Sequence, residues 1–167
     1  MRASFASLVA SLAFAPALLT GCGGEIPTST ETVRLAVIAG ADHGGKPMTT
    51  HMTQEVTVSP VFAGDPDGTG SAVLTLNPGK GEICWKLAVS DIELPATASH
   101  IHEANEGIRG GIVVFLSPPD ASGQATGCTT GVERDLVRRI IQSPASFYVN
   151  VHTTDFPPGA IRGQLSR

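Results

Sequence analysis

Apolar and polar residues alternate along several short segments of the chain, which is the pattern of half-buried β-strands. Residues 73–76 and 82–89 are two such segments, and the five residues between them, Asn-Pro-Gly-Lys-Gly, have the composition of a turn. The pattern predicts an antiparallel hairpin whose single tryptophan, Trp85, packs in the core. Further strands are predicted at residues 98–102, 112–116, 147–153 and 160–165.

One segment has a helical period instead. Between residues 130 and 142 the apolar side chains recur every three or four positions, and Thr130 with Glu133 fits a capping box. Ser143 and Pro144 are typical of a helix end. The predicted fold is therefore all-β, an antiparallel β-sandwich with one short helix.

The first residues have the features of an export signal. Arg2 precedes an apolar run from about residue 5 to residue 19, which is short for a bilayer span. Leu-Thr-Gly-Cys at residues 19–22 resembles the lipobox of bacterial lipoproteins. That resemblance implies cleavage before Cys22 and acylation of this cysteine with chains such as palmitate. The alternative is an ordinary secretory signal with a cysteine there by chance.

Three segments with different roles are then expected. Residues 1–21 are a lipoprotein signal peptide, residues 22–45 a lipid-anchored flexible tether, and residues 46–167 the folded domain. The protein is expected to be exported to the cell envelope, with the membrane as partner through its N-terminal lipid. Gly23 stands where an aspartate would favour inner-membrane retention, so the outer membrane is expected if the source is Gram-negative.

Charge and cysteine content narrow the picture. A net charge of −4 argues against a nucleic-acid partner, because binding to phosphates needs a basic surface. With Cys22 assigned to lipid, Cys84 and Cys128 remain and can form a disulfide in an oxidising compartment. Two buried thiols are the alternative. A bridge across this separation would stabilise the fold by roughly 4 kcal/mol in the chain-entropy model.

Three histidines are the candidates for chemistry. His100 and His102 lie two positions apart on a predicted strand, so their side chains project from the same face. His152, on a later strand, is the expected third ligand of a copper or zinc ion, with Glu103 as a candidate fourth. The alternative is that these histidines bind backbone and carboxylate groups and only hold loops in place.

No other pattern indicates catalysis. His43 and His51 have no partner at ligand spacing and are expected to be exposed in loops. The sequence contains no G-x-S-x-G, no phosphate-binding G-x-x-x-x-G-K-[ST], no C-x-x-C and no H-E-x-x-H. A non-catalytic protein is therefore expected.

Four motifs in order resemble the CHRD domain, the module named after its repeats in chordin. They are Gly-Asp-Pro-Asp-Gly-Thr-Gly at 64–70, His-Ile-His at 100–102, Tyr-Val-Asn-Val-His-Thr at 148–153 and Pro-Gly-Ala-Ile-Arg-Gly-Gln-Leu at 158–165. The resemblance covers about residues 46–167 and implies an extracellular β-sandwich of poorly defined biochemical role. Many such domains also place a cysteine pair where Cys84 and Cys128 stand.

A second likeness is to the copper site of copper–zinc superoxide dismutase, an immunoglobulin-like sandwich. That site uses a His-x-His strand followed by Glu, as in His100, His102 and Glu103, and a late-strand histidine like His152. Only one histidine follows His102, so the bridging and zinc-binding histidines are missing and only a copper site is implied. Two hypotheses result: a non-catalytic binding or structural module at the cell envelope, or a copper or zinc site for metal handling or redox chemistry.

Overall fold

The computed structural model describes residues 44–58 and 61–167. The predicted signal peptide, Cys22, His43 and nearly all of the predicted tether lie outside these residues. The described strands are β1 (Lys46–Gln54), β2 (Val56–Val58), β3 (Val61–Ala63), β4 (Thr69–Asn77), β5 (Glu82–Ser90), β6 (Ala98–Glu103), β7 (Gly111–Leu116), β8 (Gln124–Thr130), β9 (Phe147–His152) and β10 (Ile161–Gln164). Helix α1 (Arg134–Gln142) and a 3-10 turn (Pro144–Ser146) lie between β8 and β9.

Eight strands form one antiparallel sheet in the order β7-β6-β9-β10-β1-β4-β5-β8, and β2 and β3 form a separate hairpin. Strand β1 joins the two halves, because residues 46–52 pair with β4 while Thr53 and Gln54 pair with β10. The outermost strands approach each other, and the Thr129 hydroxyl of β8 donates a hydrogen bond to the Phe115 carbonyl of β7 at 3.1 Å. The sheet therefore curls until it nearly closes.

The predicted all-β antiparallel fold with one helix is confirmed. Its core lies inside the curled sheet, where one face of each half meets the other. The predicted hairpin is present as β4 and β5, and Leu74 lies opposite Trp85 in it. Trp85 is buried, and Gly127 on β8 leaves the space that its indole ring fills. The layers of the expected sandwich are thus two halves of one sheet.

The predicted disulfide is present between Cys84 and Cys128. The two cysteines are directly opposite partners in the β5–β8 pair, so the bridge ties the edge strand β8 to the sheet. Strand β8 itself was not predicted, because Ala125 is its one buried apolar residue and the hydrophobic pattern along it is weak. The disulfide compensates for the small apolar area that this strand buries.

Two local predictions were wrong. Helix α1 begins at Arg134 because Thr130 still belongs to β8 and Gly131 turns the chain with a φ of +74°. Glu133 precedes the helix without any side-chain capping bond. His51 is exposed as expected but lies in β1, not in a loop, because threonine and methionine alternate there with too little contrast to reveal the strand. Among the described residues, no helix is long and apolar enough to cross a membrane.

We expect the double substitution Cys84→Ser and Cys128→Ser to lower the free energy of unfolding by roughly 4 kcal/mol. The cysteines are 44 residues apart, so the bridge restricts a long loop of the unfolded chain. Urea denaturation of the wild type, the double variant and the reduced wild type measures the effect. Reduction of the wild-type disulfide should lower the free energy of unfolding by the same amount as the double substitution. A change below about 1 kcal/mol would contradict a stabilising role for the bridge.

Candidate metal centre

The candidate site lies on the outer face of the β6–β9 strand pair. Ile101, Val149 and Val151 point into the core and are fully buried. Because side chains alternate along a strand, the residues between them project to the opposite face. His100 is paired with Asn150 across the two strands, and His152 is paired with Ala98. The strand register therefore brings the three predicted histidines to one patch.

The three imidazoles converge in this patch. Nδ1 of His100 lies 3.2 Å from Nε2 of His152. One ring nitrogen from each of His100, His102 and His152 lies within 4.8 Å of the others. An ion bound at about 2.0–2.1 Å to two ligands in tetrahedral geometry holds them about 3.3 Å apart. The distances between the ring nitrogens are thus close to those that one bound ion requires.

Backbone carbonyls set the orientation of two of the rings. Nδ1 of His102 lies 2.9 Å from the Gly110 carbonyl oxygen, and Nδ1 of His152 lies 2.9 Å from that of Pro157. A carbonyl oxygen only accepts hydrogen bonds, so in both neutral rings the proton is assigned to Nδ1. Each Nε2 then keeps its lone pair. Such outer partners are the usual way in which proteins orient metal-binding histidines.

The surroundings favour neutral imidazoles. Burial, followed by the neighbouring His152 and His102, lowers the pKa of His100 to about 4. Burial also lowers the pKa of His102, although its bond to the Gly110 carbonyl opposes that shift. The neutral ring is the form that binds a metal ion. Both side chains are therefore ready to act as ligands at neutral pH.

Glu103, the candidate fourth ligand, lies apart from the three clustered histidines. Glu103 follows His102 directly on β6, so its side chain leaves the strand on the other face. There its carboxylate accepts a hydrogen bond at 2.9 Å from Arg139 of helix α1. The helix that occupies this face thus pairs with the acidic residue.

Tyr148 and Arg162 support the site from one side. The Tyr148 ring stacks on His102 with a centroid distance of 4.8 Å and nearly parallel planes. The Arg162 guanidinium lies 3.4 Å from the Tyr148 ring centroid, which is close enough for a cation–π interaction. Arg162 also donates hydrogen bonds to the carbonyls of Asn105 and Ile108. Arg162 thereby holds the loop between β6 and β7, which carries the Gly110 carbonyl bound by His102.

Glu55 and Asn150 form a buried polar pair beside His152. The Asn150 amide nitrogen donates a hydrogen bond to the Glu55 carboxylate at 3.1 Å, and both residues are about 1 % exposed. Gly159 has a φ of +141° and leaves room for that carboxylate, because a Cβ there would overlap it. Burial raises the pKa of Glu55, and the Asn150 bond opposes this effect. The Glu55 carboxylate therefore lies between Asn150 of β9 and Gly159 in the loop that precedes β10.

The side of the site nearest β7 is open. Phe115 is 68 % exposed, and its ring meets His100 edge-on with a centroid distance of 5.1 Å. His100 itself is only half-buried, whereas His102 is 8 % exposed. Solutes can therefore reach the cluster at His100.

Sequence reasoning placed the histidines, and Tyr148 and Asn150 on the same strand face as His152, but gave the residues around the histidines no role. Asn150 is two positions before His152 on the same strand face, and this spacing was a usable signal. The contribution of Glu55, 95 residues from Asn150, had no such signal. Arg162 and Tyr148 likewise act through contacts that only the folded chain creates.

The curled antiparallel sheet with a histidine cluster on its outer face defines an all-β domain with a candidate ligand site. The family model of the CHRD domain matches residues 48–165, and the chain belongs to this family. The predicted resemblance is thus confirmed. Neither the curated proteins nor the solved structures include a match to the chain.

We expect Arg162→Ala to lower the free energy of unfolding by at least about 2 kcal/mol, because it removes two charged hydrogen bonds to loop carbonyls and the contact with the Tyr148 ring. Arg162→Lys should be intermediate, since lysine keeps the charge but not the planar fork of donors. Arg138→Ala on helix α1 is the control, because its ion pair with Asp135 is exposed and worth about 0.5 kcal/mol or less. Equal stability of the two alanine variants in thermal unfolding would contradict the role of Arg162.

Proposed function

We propose that this CHRD-domain protein is exported, anchored by lipid at the cell envelope, and binds one copper or zinc ion through His100, His102 and His152. The observation that carries the proposal is the convergence of three imidazoles, two of which use their Nδ1 protons on backbone carbonyls outside the cluster. Three neutral imidazoles are a common ligand set for both metals.

The buried Nε2 of His102 supports a bound ion. Among the described residues it has no hydrogen-bond partner. Leaving a buried acceptor unsatisfied costs about 1–3 kcal/mol. A metal ion at this position would use the lone pair and remove that cost. Copper is the first choice of ion, because for divalent metals at a given nitrogen site its affinity exceeds that of zinc.

The envelope location rests on separate features. The lipobox-like residues 19–22 support lipid attachment at Cys22, and the polar residues that follow support a tether between lipid and domain. The disulfide between Cys84 and Cys128 supports an oxidising compartment. A site on such a tether would meet metal ions outside the cytoplasm.

A second candidate function is a non-catalytic binding or structural module in which the histidines are conformational. The bonds of His102 to Gly110 and of His152 to Pro157 favour it, because they tie two loops to the sheet without any ion. The two functions differ in one measurable property, which is metal uptake.

For the full chain purified in detergent, we expect one equivalent of Cu(II) or Zn(II), measured by elemental analysis and titration calorimetry. His100→Ala and His152→Ala should each weaken binding by more than 10-fold, because each removes a direct ligand. His51→Ala is the matched control, since His51 is exposed on β1 and outside the cluster. If the wild type binds neither ion at micromolar free metal, the metal function is wrong and the module function stands.

A separate experiment tests the anchor. We expect Cys22→Ser to move the protein from the membrane fraction to the soluble fraction and to remove the mass of the attached lipid. Fractionation and intact mass spectrometry of wild type and variant provide the measurement. A wild type that is already soluble and carries no lipid would support an ordinary secretory signal.

A further inference from the structure

Asn150 lies at the centre of the histidine cluster. It is on β9, opposite His100 in the strand register and two positions before His152 on the same face. Its side-chain oxygen Oδ1 lies 3.2 Å from Nε2 of His152, the same distance that separates this nitrogen from Nδ1 of His100. Both distances are close to the 3.3 Å or so expected between two ligands of one tetrahedral ion.

Glu55 determines which end of the Asn150 amide faces the histidines. Its carboxylate oxygen accepts the hydrogen bond from Nδ2 at 3.1 Å. The amide nitrogen is occupied by this bond, so the carbonyl oxygen is turned toward His152. Gly159 keeps Glu55 in place, because its missing side chain leaves the space for the carboxylate. The carbonyl of Asn150 is therefore presented to the cluster by a fixed and buried partner.

The cluster has more acceptors than donors. His102 and His152 use their Nδ1 protons on loop carbonyls, so each Nε2 is an acceptor, and Oδ1 of Asn150 is a third. The Nδ1 of His100 faces the Nε2 of His152 and can donate one proton at most. Among the described residues, two acceptors are then left without a donor, and one of them is the buried Nε2 of His102. A cation among these atoms resolves the excess of lone pairs.

We propose that Oδ1 of Asn150 is the fourth ligand, so that the site has three nitrogen donors and one oxygen donor, and that Glu55 is its positioning residue. This inference rests on the metal-binding function proposed above. The donor set also determines which class of ion the site prefers. An amide oxygen is a hard donor and the site has no sulfur ligand, so it selects divalent Cu(II) or Zn(II) over the soft cuprous ion.

The test compares divalent and cuprous ions on the full chain. Asn150→Ala should weaken Cu(II) and Zn(II) binding by about 10- to 100-fold while Cu(I) affinity, measured against a chromophoric cuprous chelator, changes less than about 3-fold. Glu55→Ala should reproduce the divalent loss with Asn150 intact. Glu55→Gln should restore binding, because its side-chain oxygen can still accept from the Asn150 amide.

A second variant distinguishes loss of a metal ligand from unfolding of the protein. Asn150→Ala leaves the buried Glu55 carboxylate without its donor, which by itself destabilises the protein. The double variant Glu55→Gln with Asn150→Ala removes that charge, and its far-ultraviolet circular dichroism and thermal unfolding verify folding. It should show the same selective loss of divalent ions.

Three results would overturn the inference. Equal weakening of Cu(I) and divalent ions would make Asn150 a structural support of His152 and not a ligand. Unchanged divalent affinity in the folded Asn150 variants would exclude it as a ligand while leaving the three-histidine function intact. A wild type that binds no metal would remove both proposals together. Selective divalent loss with rescue by Glu55→Gln supports the inference.

Discussion

The pairing of β6 with β9 is the constraint on which the site depends. Ile101, Val149 and Val151 supply the inward side chains of this pair, and their burial drives the two strands against the core. Since side chains alternate, the same pairing obliges the residues between them to share the outer face. A shift of one residue in this register would turn the histidines into the core and the valines to water, which the hydrophobic effect opposes. The core therefore assembles the cluster without contacting it.

Buried polar groups hold the residues and loops around the histidine cluster in place. Arg162 and Glu55 are both nearly inaccessible, and each reaches across the fold to a partner far along the chain. Burying such groups costs free energy unless they are hydrogen-bonded. Arg162 is well paired, whereas one oxygen of Glu55 and the Nε2 of His102 have no partner in the described part of the chain. Arrangements of this kind are more typical of functional sites than of regions that serve packing alone.

The two halves of the sheet carry different features. The half that contains β5 and β8 is stapled by the disulfide, and the half that contains β6 and β9 carries the histidines. Strand β1 belongs to both halves and leads directly into Glu55, whose carboxylate reaches Asn150. The strand that joins the halves of the core thus also delivers the residue that orients the Asn150 amide. This link connects the stability of the sheet to the geometry of the site.

Local patterns determined a good part of this protein. The β4–β5 hairpin and the shared face of His100 and His102 follow from period-two alternation and turn composition, which depend on neighbours in the chain. Strands with little apolar contrast, such as β1 and β8, escaped that reasoning because their burial comes from their place in the sheet. The sequence by itself placed the histidines and paired the cysteines. Only the tertiary structure decided that Glu103 turns to Arg139 and that Asn150 meets Glu55, because contacts between residues 36 and 95 positions apart depend on how the whole sheet closes.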